Sequence, residues 1–249
     1  MTGTIADIWR HPIKSHGVEA LKQAGLEVGK TLPGDRLWAV QHEAAKLDGP
    51  GWASCANFLR VAKAPALAAL RARLHTDGQT VTLTHPERPD LTFKPDQDAA
   101  MFLDWIAPLC PANRAQPVGL VRNDDRGYTD SPEPTVSLCN YASHRAVAQK
   151  LGHDISPLRW RGNIWLDGLG PWEEFEWIGR TLRIGTAELE VIDRIERCTA
   201  TMANPETGLR DADTLAALRE GWGHQDFAVY GVVKTPGEIA IGAPCEVIT

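Results

Sequence analysis

The sequence predicts a mainly β fold, either a barrel or a sandwich, with a few helices that cover it. Short segments of β character recur along the 249 residues and are separated by Gly, Pro, Asp and Asn. Hydrophobic residues make up 43% and charged residues 23%, a balance typical of folded globular chains. This density of strand segments favours a β architecture over a helical bundle.

The predicted strands follow one another along the whole chain, with four predicted helices between them. The strand segments are TIADIWR, DRLWAVQH, TVTLTH, DLTFK, PVGLVR, TVSLCN, LRWRGNIWLDG, RTLRIG, AELEVIDRIERC, DFAVYGVVK and CEVIT. The predicted helices are APALAALRARL, DQDAAMFLDWIAPL, NYASHRAVAQKLG and ADTLAALREG. Asp96 or Asp98 is a suitable N-cap for the second helix, and Asn140 for the third. We expect three of the helices to cover barrel openings.

A helix and several prolines interrupt the strand pattern in PDQDAAMFLDWIAPLCPANRAQP. This break predicts a boundary between a first domain, residues 1–96, and a second, residues 97–249. Two such domains can share a binding cleft and fold as one unit.

Composition and motifs argue against several classes of function. The net charge is -6 and no Lys/Arg block occurs, so nucleic acid is not an expected partner. No apolar run reaches the roughly 20 residues of a membrane span, and the N-terminus lacks a signal peptide, so we expect a cytoplasmic protein without a membrane partner. The five cysteines form no CxxC pair, which predicts free thiols rather than disulfides or a zinc site.

The segment ERCTATMANPETGLRD, residues 196–211, ends a predicted strand in a cysteine and continues into turn signals. Cys198 is therefore expected at a loop-lined rim. A thiol binds metal or attacks as the thiolate, and the nearby Arg194, Arg197 and Arg210 can lower its pKa. The alternative is a buried cysteine that packs as a small hydrophobic residue.

Two further segments carry candidate anion-binding residues. Alternation in LRWRGNIWLDG, residues 158–168, predicts that Arg159, Arg161 and Asn163 share one strand face, where they suit a phosphate and the edge of a heterocycle. RHPIKSHG, residues 10–17, places Lys14 at a proline bend, and GDRLWAV begins a strand with Arg36. In each case the alternative is an ordinary solvated cation, with Asp35 as a weak surface partner of Arg36.

In this order along the chain, the motifs resemble the MOSC family, named for the C-terminal domain of molybdenum cofactor sulfurase. The matching elements are Pro12, Lys14 and Ser15; Gly34 to Arg36; Arg161 and Asn163; and Arg197 and Cys198 followed by Asn-Pro-x-Thr-Gly at 204–208. The resemblance implies a β-barrel MOSC domain preceded by an N-terminal MOSC-type β-barrel domain. Asn204 departs from the pattern, because we expect an acid at that position.

The resemblance also implies a cofactor and its site. Cys198 is implied to ligate the molybdenum of a molybdenum-pterin cofactor and so to be the catalytic residue. The residues implied to bind the pterin and its phosphate, or to line the same pocket, are Lys14, Ser15, Arg36, Thr135, Ser137, Arg161, Asn163 and Arg197. A soft thiolate suits a metal held by dithiolene sulfurs, and cations offset the phosphate.

Three functions are compatible with this reading. The first is an oxidoreductase that reduces N-hydroxylated or related small molecules, as the amidoxime-reducing branch of the family does, with electrons from a separate protein. The second is a cofactor or sulfur carrier in which Cys198 holds a persulfide. The third is a β-barrel binding module without a metal.

Overall fold

A computed structural model describes residues 2–47, 49 and 51–248 of the chain and contains fifteen strands and three α-helices in that part. The strands are β1 (Thr2–Arg10), β2 (Glu19–Leu21), β3 (Gln23–Leu26), β4 (Trp38–His42), β5 (Arg71–Leu74), β6 (Val81–His85), β7 (Arg88–Phe93), β8 (Pro117–Arg122), β9 (Val136–Asn140), β10 (Ile164–Asp167), β11 (Thr181–Ile184), β12 (Ala187–Glu196), β13 (Asp226–Thr235), β14 (Gly237–Ala240) and β15 (Pro244–Val247). The helices are α1 (Ala99–Ile106), α2 (Tyr141–Leu151) and α3 (Thr214–Trp222).

Seven of these strands close into a barrel. The order is β10, β9, β13, β12, β11, β15 and β1, and β1 pairs again with β10 to complete the ring. β9 and β10 run parallel, whereas the other neighbouring pairs of the ring are antiparallel. The predicted mainly β barrel fold with a few helices is therefore confirmed.

Alternating side chains fill the barrel interior. Along β12, Leu189 and Val191 are fully buried while Glu190 between them is partly exposed, as period-two alternation requires. They pack with Leu138 of β9, Val229 of β13 and Ile184 of β11 in one apolar cluster. Burying an aliphatic side chain of this size contributes about 1.5–3 kcal/mol, so this cluster is a main source of the barrel's stability.

A second apolar core lies beside the barrel. It is enclosed by the β4–β8 ribbon, the three-stranded sheet β5–β6–β7 and helix α1. Phe93 of β7 stacks on Phe102 of α1 with ring centroids 4.9 Å apart. Strand pairs connect residues on the two sides of the predicted boundary between residues 96 and 97. β8 of the second part pairs with β4 of the first, and β1 of the first part pairs with β10 in the barrel of the second. The two parts thus share their sheets, and the boundary itself stays a prediction.

Three of the four predicted helices are confirmed. Asn140 caps α2 by accepting a hydrogen bond from the backbone N–H of Ala142 at 2.8 Å, and Asp98 precedes α1. The predicted helix APALAALRARL is wrong, because only a 3-10 turn, Pro65–Ala69, forms before β5 begins. Pairing of β5 with β6 outweighs the helix propensity of the alanines. No helix in the described ranges has the length and apolar character that crossing a bilayer requires.

The predicted long strand LRWRGNIWLDG is also shorter than expected. Pro157–Trp160 forms a 3-10 turn, Arg161 adopts a left-handed conformation with φ 51°, and β10 starts only at Ile164. Gly162 makes the turn possible, since a Cβ at that position would lie 2.1 Å from the Sγ of Cys139. The expectation that Arg159, Arg161 and Asn163 share one strand face is therefore wrong.

Candidate functional site

A cleft of about 250 Å³ brings together every residue that the sequence predicts for the site. Its walls come from both predicted parts, through residues 14–15, 36, 55–62, 129–137, 159–163, 195–201 and 230. The predicted residues among its lining are Lys14, Ser15, Arg36, Thr135, Ser137, Arg161, Asn163, Arg197 and Cys198. The chain thus folds nine predicted residues from five separate segments against one cavity.

Cys198 presents its thiol at this cleft. It lies two residues beyond β12, directly before a 3-10 turn at Thr199–Met202, and it is exposed. All five cysteines are free thiols; burial raises the pKa of Cys139 and of Cys245 to about 12, which keeps both protonated. The alternative of Cys198 as a buried packing residue is excluded by its exposure.

Only one of the three arginines that flank Cys198 in sequence lines the cleft. Arg197 does so, and its guanidinium donates to the backbone carbonyl of Phe227 at 2.8 Å. Arg194 instead stacks on an aromatic ring at 4.3 Å, and Arg210 donates to a backbone carbonyl of the first part at 2.7 Å. The local positive charge beside the Cys198 thiol is therefore that of Arg197 and of cations distant in sequence.

Three of the predicted residues have a strained backbone. Ser15, Arg36 and Arg161 adopt left-handed φ values of 65°, 54° and 51°. Only five non-glycine residues in the described ranges have positive φ, so these three are concentrated at the cleft. A left-handed residue other than glycine costs about 1–2 kcal/mol and is retained where the surroundings require it. Such strain is typical of binding sites.

A buried carboxylate holds Arg36. Asp35 is fully buried, pairs with the Arg36 guanidinium and accepts the backbone N–H of His11 at 2.8 Å. Burial opposes the charge of Arg36, but Asp35 and the nearby Asp130 outweigh it and raise the arginine pKa. Arg36 also donates to the backbone carbonyl of Arg161 at 2.9 Å. The alternative of a surface arginine with a weak partner is excluded.

Lys14 and Arg161 are also enclosed rather than solvated. Lys14 is only 3% exposed; its Nζ donates to the backbone carbonyl of Tyr128 at 2.8 Å and pairs with the carboxylate of Asp130. Burial, together with the charge of Arg36, lowers the pKa of Arg161 to about 9. Burial and a neighbouring like charge both disfavour the charged form of Arg161, so a bound anion would stabilise it.

The cleft carries more positive than negative charge. Its six cationic side chains are Lys14, Arg36, Arg60, Arg159, Arg161 and Arg197, and its two carboxylates are those of Asp130 and Glu196. Five guanidinium groups within one small cavity suit a ligand that brings several negative charges, because Arg binds phosphate through a fork of donors.

Ser137, Asn163 and Thr135 form a polar wall of the cleft. The Ser137 hydroxyl donates to Oδ1 of Asn163 at 2.9 Å and accepts the Asn163 backbone N–H at 2.8 Å. Nδ2 of Asn163 donates to the backbone carbonyl of Trp9 at 3.1 Å. In contrast, the buried Oγ1 of Thr135 has no hydrogen-bond partner among the residues that the structure describes. A ligand in the cleft can supply that partner.

The residues of this site that the sequence did not predict include Cys55, Arg60, Asp130 and Tyr230. None lies in a motif. Burial, with Asp130 nearby, raises the pKa of Tyr230 to about 12, so its hydroxyl keeps its proton at neutral pH. Tyr230 lies in predicted strand DFAVYGVVK, but the left-handed Ala228 disturbs the alternation that would have indicated its direction.

The comparisons with known proteins agree with this architecture. Residues 2–105 match the MOSC N-terminal beta barrel domain and residues 125–246 match the MOSC domain. The chain is 24% identical over 298 aligned residues to mitochondrial amidoxime-reducing component 1 of Homo sapiens, covering 97% of this chain and 82% of the relative. It is 35% identical over 85 residues to molybdenum cofactor sulfurase of Caenorhabditis briggsae, covering 33% of this chain and 12% of the relative.

Among solved structures, the YuaD protein of Bacillus subtilis aligns with a TM-score of 0.49 and 15% identity, covering 99% of this chain and 96% of that one. The two domain matches together span nearly all of the sequence, in the order in which the motifs predict them. The chain belongs to the MOSC domain family, with a MOSC N-terminal β-barrel domain ahead of the MOSC domain.

Proposed function

We propose that the cleft binds a molybdenum-pterin cofactor and that the thiolate of Cys198 ligates the metal. The observation that carries the proposal is the position of the exposed Cys198 thiol in a cavity with six cationic side chains. Membership of the MOSC family and the likeness to proteins named amidoxime-reducing component and molybdenum cofactor sulfurase support it.

The residues present fit such a group. Lys14, Arg36 and Arg161 offer positive charge and N–H donors for a phosphate, and the Thr135 hydroxyl lacks a partner. A thiolate is a soft ligand, which suits a metal that is already bound by sulfur. Thr135 and Ser137 add hydroxyl groups to a wall that faces the same cavity.

We assign the protein an oxidoreductase function on small N-hydroxylated or related N- or S-oxygenated compounds. The cofactor, when bound, supplies two-electron redox chemistry at the metal. The chain orients that group through its cations, and the buried Asp35 keeps Arg36 charged and in place. The protonated Tyr230 hydroxyl lines the cleft and can donate a proton as oxygen leaves the substrate. Electrons come from a separate donor protein.

Metal and pterin analysis of protein made in a cofactor-competent host tests this proposal. We expect molybdenum and pterin in the wild type and loss of molybdenum in Cys198→Ser. The cofactor-free forms of the two proteins should share one unfolding midpoint, because the exposed thiol makes no hydrogen bond among the described residues. Cys55→Ser is the matched control at the same cleft and is expected to keep its metal. Molybdenum retained by Cys198→Ser would exclude the thiolate ligand.

The activity has its own test. Holoprotein supplied with an artificial electron donor is expected to reduce an N-hydroxylated substrate. A protein that contains the cofactor yet reduces neither N-hydroxylated nor S-oxide compounds would refute the oxidoreductase assignment while leaving cofactor binding intact.

A second candidate is a sulfur carrier with a persulfide on Cys198. The 85-residue likeness to molybdenum cofactor sulfurase and the exposed thiol favour it. Mass spectrometry that finds one extra sulfur on Cys198, together with an absence of molybdenum, would support the carrier. A metal-free binding module instead predicts that Cys198→Ser leaves every ligand affinity unchanged.

A further inference from the structure

A second cleft, of about 220 Å³, adjoins the first. It lies between the end of β4, the segment 58–64 and the segment 110–115 that follows α1. The two clefts share Arg60, whose side chain lines both. No residue of this second cleft other than Arg60 belongs to the lining of the first.

The charges in the second cleft are all positive. Arg60, Lys63 and Arg114 line it, and no carboxylate does. None of the three makes an ion pair with a carboxylate in the part of the chain that the structure describes. By contrast, Arg122 on β8 pairs with two aspartates. In a chain of net charge -6, a cavity wall with three cations that form no ion pair within residues 2–47, 49 and 51–248 favours an anion as its ligand.

Two buried polar atoms of the same wall also lack partners. His42 uses Nε2 in a 2.8 Å hydrogen bond with the backbone carbonyl of Ala56, but its buried Nδ1 has no partner among the described residues. The buried Nε of Arg60 has none either. Buried polar atoms in native proteins are normally hydrogen-bonded, so both atoms point to a polar group that the chain itself does not supply.

The rest of the lining is apolar. Phe58, Leu59, Ala64, Pro111 and Ala115 contribute most of it. Burial raises the pKa of Cys110 to about 11, so this thiol adds neutral surface and no negative charge. A cavity of roughly 150 Å³ accommodates benzene, so about 220 Å³ has room for one ring and a small charged head.

We propose that the second cleft binds a small organic anion with a flat apolar body, of the aryl carboxylate class. The carboxylate pairs with Lys63 and Arg114 and accepts from Arg60, while the ring packs on Phe58 and Pro111. Apart from the shared Arg60, this site uses no residue of the first cleft, so the proposal stands without the cofactor proposed there.

Calorimetric titration of the full chain with benzoate tests the proposal. We expect one benzoate per chain, with benzyl alcohol and inorganic phosphate each binding at least about tenfold more weakly, because one lacks the charge and the other the ring. Lys63→Gln and Arg114→Gln are exposed substitutions and are each expected to weaken benzoate about tenfold, the value of one charge-assisted hydrogen bond. Arg180→Gln, an exposed cation that lines neither cleft, is the matched control and should leave the affinity unchanged.

A crystal structure with 4-bromobenzoate locates the ligand independently of any variant, through the anomalous signal of bromine. Bromine in the second cleft supports the proposal. Benzoate that binds only in the first cleft, phosphate that binds as tightly as benzoate, or affinity that is unaffected by both Lys63→Gln and Arg114→Gln would each overturn it.

Discussion

Ser137 and Asn163 bond to each other from both sides, with the Ser137 hydroxyl donating to Oδ1 at 2.9 Å and accepting the Asn163 backbone N–H at 2.8 Å. Both side chains are almost fully buried, and Nδ2 of Asn163 continues the network to the backbone of Trp9. One polar network thus joins β9, the turn before β10, and β1 beside the cleft.

Ser137→Ala and Asn163→Ala are each expected to lower the free energy of unfolding by ~1–3 kcal/mol, because each leaves buried polar atoms of the other unpaired. The double variant should lose less than the sum of the two, since one shared set of hydrogen bonds is removed only once. Urea unfolding of the four proteins measures this coupling. Strict additivity would show that the two residues act independently.

Asp35→Asn is expected to destabilise the fold by ~3–5 kcal/mol, because it removes the carboxylate that compensates the enclosed charge of Arg36. Asp124→Asn is the control: it breaks an arginine pair on a carboxylate that is 65% exposed, and should cost ~0–1 kcal/mol. Chemical denaturation of both variants gives the comparison. If the two variants lost the same free energy of unfolding, the charge of Asp35 would not be what holds Arg36.

Three buried histidines should make the fold sensitive to mild acid. Burial is the largest cause that lowers the pKa of His11 to about 3, and of His16 and His144 to about 4, from an ordinary value of 6.5. Below about pH 6.5 these histidines are protonated in the unfolded chain but stay neutral in the folded chain. The free energy of unfolding therefore falls as the pH decreases toward 4, and these groups do not affect it above pH 7.

The slope is up to ~1.4 kcal/mol per pH unit for each histidine. Unfolding free energies measured from pH 7 to pH 5 give the number of protons taken up. His144→Gln should reduce that number by about one. A flat profile between pH 6.5 and pH 5 would contradict the depressed pKa values.

Thr135→Val separates ligand binding from stability. The substitution removes a buried hydroxyl that has no protein partner in the described structure, so the ligand-free chain should keep its unfolding midpoint or gain slightly. Molybdenum and pterin content should fall, because the proposed ligand loses a hydrogen bond. Thermal unfolding tests the expected stability, and metal analysis tests the expected loss of cofactor. If Thr135→Val destabilised the ligand-free chain, while the variant made with cofactor kept its full molybdenum and pterin content, Thr135 would be a structural residue and not a ligand-binding one.

Most of the cleft residues were predicted through the resemblance to the MOSC family, which short motifs in the sequence carry. Lys14 and Ser15 follow Pro12, Arg36 follows Gly34, and the proline and glycines around these positions restrict the backbone locally. Alternation along strands such as β12 predicted a mainly β chain, whereas the choice of a barrel over a sandwich came from the resemblance.

The errors have one cause. Residues 64–74 favour a helix by composition, and LRWRGNIWLDG favours a strand by alternation, yet both were decided by contacts with residues outside the segment itself. Pairing with β6 extends residues 71–74, and close packing of Gly162 on Cys139 turns the chain at Arg161. Arg60, Asp130 and Tyr230 escaped notice because no local pattern distinguishes them.

The sequence by itself determined a mainly β chain, because alternation and turn chemistry act between residues close in the chain. The order of its motifs gave the resemblance to the family, and that resemblance implied the nine cleft residues. Only the tertiary structure decided that these residues meet in one cavity, that Asp35 and Arg36 are buried together, and that a second cationic cleft adjoins the first. Those features depend on packing between segments separated by up to two hundred residues, and such contacts leave no periodic trace in the order of the amino acids.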